Sequence, residues 1–142
     1  MKKAVMIIAP QNFRDEELFE PKEILEKSGI EVKIACVTLD VAVGKLGAKV
    51  APDMLLSDIN IKDFDAVIFV GGIGASLYFD DAGAHNLVKD ALKGNRIVAA
   101  ICIAPVIFAR AGILKGKRAT VFSSEEKEVK AAGAKYSGRP VE

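Results

Sequence analysis

The residues best placed to do chemistry lie in Arg96-Ile97-Val98-Ala99-Ala100-Ile101-Cys102-Ile103-Ala104-Pro105-Val106-Ile107-Phe108. An apolar run ends there at a cysteine, and a proline follows three residues later. Ile97 to Ile101 has the short, β-branched character of a strand buried on both faces. Pro105 suits the first turn of a helix, where its missing N–H costs nothing. Cys102 therefore falls in a sharp strand-to-helix turn. The small residues two before and two after it, Ala100 and Ala104, match the pattern of a nucleophile elbow, where a bulky neighbour would clash. A helix N-terminus beside the sulfur favours the thiolate through its partial positive charge. The same residue types also fit an inert core cysteine, since free cysteine is among the most buried side chains. A second candidate is Gly71-Gly72-Ile73-Gly74-Ala75, which follows the apolar run Ala66 to Val70. Its spacing does not meet the dinucleotide fingerprint G-x-G-x-x-G. Two adjacent glycines after a strand instead suit a turn whose backbone N–H groups point into a site as an oxyanion or carboxylate cradle. A tight turn with no further role fits them too.

The elements that must hold these residues follow from punctuation and periodicity. Ala4 to Ala9 reads as the first strand, closed by Pro10. The stretch from Gln11 to Pro21 runs into a helix over Lys22 to Ser28 that stops at Gly29, with a break or kink expected at Pro21. Ile30 to Val37 is the second strand and carries Cys36, expected in the core. Asp40 to Ala51 suggests a small hairpin, and Leu55 to Ile61 a short helix. Ala66 to Val70, Ile97 to Ile101 and Ala119 to Phe122 are further strands. Ala82 to Leu92, Ala104 to Ala111 and Ser124 to Ala132 are helices, the last capped by Ser123. Strand and helix alternate at the interval of an α/β, doubly wound, mainly parallel sheet with right-handed crossovers. In such a sheet, sites form beyond the carboxyl ends of the strands.

Composition narrows the function classes. A chain of 142 residues suits a single domain over 1–142, and 51% hydrophobic residues with positive mean hydropathy can build a real core. Lys+Arg 20 nearly cancels Asp+Glu 19 to leave +1, so no nucleic-acid or anionic-membrane partner is expected. The apolar runs are too short or too interrupted to span a bilayer, and Met1-Lys2-Lys3 leads into a strand without a cleavage site, which points to the cytoplasm. Two distant cysteines read as reduced thiols. Asp15, Glu16 and Glu20 suit a solvated helix start, and Glu125-Glu126-Lys127-Glu128 a wet helix face. Tyr78-Phe79-Asp80-Asp81 lines either a pocket or an oligomer contact. His85, the one histidine, falls on the predicted helix after the glycine loop, as a solvated surface residue.

Ala99-Ala100-Ile101-Cys102 followed by Pro105, the Gly71-Gly72-Ile73-Gly74-Ala75 loop, and Glu17 four residues ahead of Pro21 together resemble the PfpI/ThiJ superfamily. The resemblance covers essentially the whole chain, including Val50-Ala51-Pro52-Asp53 and Gly116-Lys117-Arg118-Ala119-Thr120. It implies a flavodoxin-like sandwich, a cysteine nucleophile on an elbow, and assembly as a homodimer or higher homo-oligomer. Carried over by position, Cys102 matches the nucleophile and Glu17 the acid that hydrogen-bonds it. Gly71, Gly72 and Ile73 match the backbone cradle, to which Ile103, next after the sulfur, adds its own N–H. Family members continue for roughly another strand and helix past the position of Glu142, so a final strand and helix are expected to be missing here.

The resemblance breaks at histidine. Protease-like members carry one directly after the cysteine, where this chain has Ile103. Deglycase-like members carry one some twenty residues later, where it has Val121-Phe122-Ser123. Peptide hydrolysis must protonate a poor amine leaving group, so a PfpI-type peptidase is disfavoured. Attack on small reactive carbonyls or their adducts needs only a thiolate and one carboxyl group, and it leads the readings as glyoxalase-like or deglycase-like work. No cofactor, metal or nucleotide is required. A second reading is an oxidative-stress sensor in which Cys102 is oxidised beside protonated Glu17. A third is a chaperone-like module that binds damaged protein and can dispense with Cys102.

Overall fold

A computed structural model describes residues 1–142. The chain opens with β1 (Lys3–Ile7), β2 (Gln11–Phe13) and α1 (Asp15–Lys27). It continues through β3 (Glu31–Cys36), β4 (Ala42–Gly44), β5 (Lys49–Val50) and β6 (Met54–Leu55) to short 3-10 turns at Leu56–Asp58 and Ile61–Asp63. After β7 (Ala66–Phe69) come a 3-10 helix at Ile73–Tyr78, α2 (Ala82–Lys93), β8 (Ile97–Ala100) and α3 (Pro105–Ala111). The chain finishes with β9 (Arg118–Ala119), a 3-10 turn at Ser123–Glu125, α4 (Glu126–Ala131) and β10 (Lys135–Tyr136).

The main sheet has five strands in the order β6-β3-β1-β7-β8, and every pair in it is parallel. Strand order reverses between β1 and β7, the switch point of a flavodoxin-like, doubly wound sheet. Burial on both faces explains why β1 reads as an unbroken apolar run. Val5 and Ile7 join the larger core with α2 and α3, whereas Met6 and Ile8 join the smaller core with Phe13 and with Leu18 of α1. Cys36 is fully buried in this second core, as expected. No helix is long and apolar enough to cross a membrane. The outer edge of β8 pairs with no strand, and an open groove of about 840 Å³ runs along it past Val98, Ala100, Phe108, Phe122 and Tyr136.

Several sequence expectations are corrected. α1 runs unbroken through Pro21 from Asp15, because Leu18 and Leu25 pack on the same core from either side of the proline and one lost hydrogen bond does not outweigh that burial. Leu55 to Ile61 is not one helix but the end of β6, a 3-10 turn at Leu56–Asp58 and the start of a second at Ile61. The strand at Ala119 to Phe122 shrinks to β9, because the Phe122 N–H leaves the ladder and donates to the Cys102 carbonyl at 2.8 Å. The last helix begins at Glu126, and Ser123 makes no capping bond. Within Tyr78 to Asp81, Tyr78 is buried and Asp80 is exposed. The Tyr78 hydroxyl is buried and donates to the Ile8 carbonyl at 2.7 Å, Asp80 pairs with Arg110, and the Asp81 carboxylate caps α2 by accepting from the Ala84 N–H.

Asp15 is not a solvated residue. It is buried at the first position of α1 and accepts from the Leu46 N–H at 3.1 Å and the Ala48 N–H at 2.9 Å, which pins the β4–β5 hairpin to the helix start. Burial pushes its pKa up, and the two amides overcome that and hold it below the usual carboxylate range. Gly44 lies so close that a Cβ there would run into this carboxylate. Asp15→Ala should leave the main sheet intact and raise hydrogen exchange at Leu46 and Ala48, read by NMR; unchanged protection at both amides would mean that the hairpin does not depend on this carboxylate.

Candidate active site

Three segments meet beyond the carboxyl edge of the sheet: Gln11 to Glu17 after β1, Gly71 to Ile73 after β7, and Ile101 to Ile103 after β8. Parallel order forces this, because each connection leaves its strand at the same end. Backbone strain collects here as well. Only three non-glycine residues have positive φ, and two of them, Asn12 at 59° and Cys102 at 63°, belong to these segments. Such conformations persist where the surroundings over-determine them, which is a mark of functional sites. The elbow read from Ala100, Ala104 and Pro105 is therefore real. Cys102 stands in the left-handed region between β8 and α3, partly exposed, with Pro105 in the first turn of that helix.

Gly71 measures how closely the parts approach. A Cβ on Gly71 would lie 2.5 Å from Cys102 Cβ and 2.6 Å from both Glu17 Oε1 and the Ile101 carbonyl. The cysteine and the carboxyl group thus face each other across a space that only glycine leaves open. Glu17 Oε1 is buried and has no hydrogen-bond partner, so no bond joins it to the sulfur in this state. Burial, reinforced by the Glu16 charge and opposed by Arg14, pushes the Glu17 pKa up to about 7. Near neutrality this side chain is divided between acid and base forms, which suits proton transfer.

The backbone supplies the complementary donors. The N–H groups of Gly71, Gly72, Ile73, Cys102 and Ile103 donate to no acceptor in the protein, and Gly71, Gly72 and Ile103 are buried residues. Buried amides without partners are rare, so this cluster offers itself to an oxyanion or another acceptor. Ile73 differs from the rest, because its side chain is exposed and only its amide belongs to the cradle.

Sequence reasoning missed Arg14. Its backbone N–H donates to the Gly71 carbonyl at 3.0 Å, and its Nε donates to Glu16 Oε1 at 2.6 Å. Arg14 is held above its ordinary pKa, first by that bond to Glu16, with the Glu17 and Cys102 charges adding to it and burial opposing. Glu16, read as solvated, has one buried oxygen without a partner and is held below the usual range by its own backbone N–H and then by Arg14. A cation directly after the first strand, where sites form, was the available signal. His85 does not reach this group. It is half-buried on α2, and its Nε2 lies 2.7 Å from the Phe79 carbonyl, which can only accept, so that nitrogen carries the proton.

Known proteins repeat this architecture. A protein of Methanocaldococcus jannaschii is 45% identical over 98% of this chain and 69% of its own length. A deglycase of Thermococcus kodakarensis is 30% identical over 93% of this chain and 80% of its own length. The crystal structure of a ThiJ/PfpI domain protein from Brachyspira murdochii superposes with a TM-score of 0.94 at 37% identity, covering 96% of this chain and 79% of that one. The DJ-1/PfpI family model matches residues 2–142, and the chain belongs to that family.

Proposed function

We propose that the chain is a cysteine-nucleophile enzyme acting on small reactive carbonyls or their adducts. The observation that carries this reading is Cys102, at positive φ, facing the buried and unpartnered Glu17 carboxyl oxygen across Gly71. With a 2-oxoaldehyde such as methylglyoxal, Glu17 takes the thiol proton and the sulfur adds to the aldehyde carbon. The carbonyl electron pair moves to oxygen, where the Gly71, Gly72 and Ile103 N–H groups receive it, and Glu17 returns the proton to give a hemithioacetal. Moving the hydrogen from that carbon to its neighbour through Glu17 yields a thioester, which water cleaves to lactate and free thiol. Nothing is oxidised or reduced overall, and no histidine is needed. A deglycase among the relatives fits this chemistry. A peptidase would still have to protonate an amine leaving group, and His85 is engaged elsewhere.

Partial exposure of Cys102 favours the sensor as a second reading. One experiment separates the two: lactate formed from methylglyoxal is counted per chain, and intact mass is recorded after peroxide. The enzyme reading expects many turnovers, lost in Cys102→Ser. At most one carbonyl consumed per chain, with one stable sulfinate at Cys102, would hand the site to the sensor.

A further inference from the structure

We propose that Arg14 is the anion-recognising residue of this site, so that the preferred carbonyl substrate carries a carboxylate a short distance from its reactive carbon. The substrate class rests on the carbonyl reading above; the anion subsite does not.

Arg14 is fixed at both ends. Its backbone is tied to the glycine cradle by the bond to the Gly71 carbonyl, and Gly72, at φ +94°, closes on it so tightly that a Cβ would lie 2.6 Å from the Arg14 nitrogen and 2.5 Å from the Asn12 carbonyl. Its side chain is fixed by the Nε bond to Glu16. The two terminal Nη groups donate to nothing in the protein, and the side chain is 38% exposed. An arginine anchored through Nε presents its remaining N–H groups as a preset fork for a carboxylate. Stability does not account for the arrangement, since ion pairs at this exposure contribute little.

Charge within the three segments that meet at the sulfur points the same way. Gln11 to Glu17, Gly71 to Ala75 and Ile101 to Pro105 contain one cation, Arg14, against Asp15, Glu16 and Glu17. Asp15 spends its charge on the Leu46 and Ala48 amides. Glu16, Glu17 and a thiolate would together repel an anionic substrate, and a neutral aldehyde would need no cation at all. Arg14 beside the cradle makes the site suitable for a 2-oxoaldehyde with a carboxylate tail.

The test compares iodoacetate with iodoacetamide at Cys102. Both form the same S–C bond and expel iodide, and only one carries a carboxylate. The ratio of their rate constants, divided by the same ratio for a small free thiol, should be about tenfold in favour of the anion, fall to near one in Arg14→Gln, and be partly retained in Arg14→Lys. Added salt should lower it. If Arg14→Gln does not fold, Arg14→Lys over a salt series decides. A ratio equal to that of the free thiol, or one indifferent to the substitution and to salt, overturns the proposal. The substrate arm compares 4,5-dioxopentanoate with methylglyoxal, with kcat/KM about tenfold higher expected for the former. Anion preference at Cys102 without any carbonyl turnover keeps the subsite and sinks the enzymatic reading; methylglyoxal turnover with no anion preference does the reverse.

Discussion

With Gln at position 17, kcat/KM for methylglyoxal should fall about 10²- to 10³-fold, the range of a lost general acid–base group. The ascending limb of its pH profile near pH 7 should vanish with it. The direction follows from the environment. Burial and the Glu16 charge push the Glu17 pKa up to about 7, so the base form that takes the thiol proton, and then returns it to the developing alkoxide, is scarce well below neutrality and is gained as pH rises through that value. Stability gives a second reading of the same group. A carboxyl group whose folded pKa lies above its unfolded value near 4.5 binds its proton more tightly when folded. Its favourable contribution is therefore complete below the unfolded pKa and fades as pH climbs through about 7. The difference in Tm between Glu17→Gln and wild type should accordingly shift in favour of the variant between pH 5 and 8. A rate that survives the substitution, or a Tm difference that does not change with pH, would remove Glu17 from the chemistry.

The sequence made the elbow and the cradle legible because each rests on steric rules that act locally. Ala100, Ala104 and Pro105 admit a tight turn around Cys102, and Gly71-Gly72 admits a close approach whatever surrounds it. What stayed hidden depends on partners distant in the chain. Asp15 reads as a helix-start acid until the Leu46 and Ala48 amides are seen to converge on it. Arg14 looks like one more charge in a polar run, and only its bond to the Gly71 carbonyl places it at the site. Pro21 misled for a related reason. Local propensity argues for a break, but the buried Leu18 and the half-buried Leu25 pack on the same core and hold the helix together across it. His85 shows the same limit. A lone histidine on a helix reads as solvated, yet its ring nitrogen is committed to the Phe79 carbonyl.

Gly71→Ala should cost more activity than any other single methyl group added to this chain, at least about 10²-fold, because displacements near 1 Å at reacting groups already cost that much. Gly71 does not occupy the left-handed region, so alanine meets no backbone penalty there. The entire effect is steric. The added Cβ would lie 2.5 Å from Cys102 Cβ and 2.6 Å from Glu17 Oε1 and the Ile101 carbonyl, so the nucleophile, its acid or the elbow itself must move. Overpacking of this kind costs about 1–3 kcal/mol of stability, which a folded core of this size can absorb. The control is Gly112→Ala at the end of α3. That glycine has φ +80°, and an added methyl group would meet nothing within 4 Å, so alanine there costs about 1 kcal/mol of strain and should spare the rate. Measuring kcat/KM beside Tm for both variants separates the two effects: Gly71→Ala should lose rate out of proportion to its melting shift, and Gly112→Ala should lose only melting temperature. A Gly71→Ala protein with full activity would mean that Cys102 and Glu17 do not need the spacing this glycine maintains, and that the two side chains do not act on one carbon.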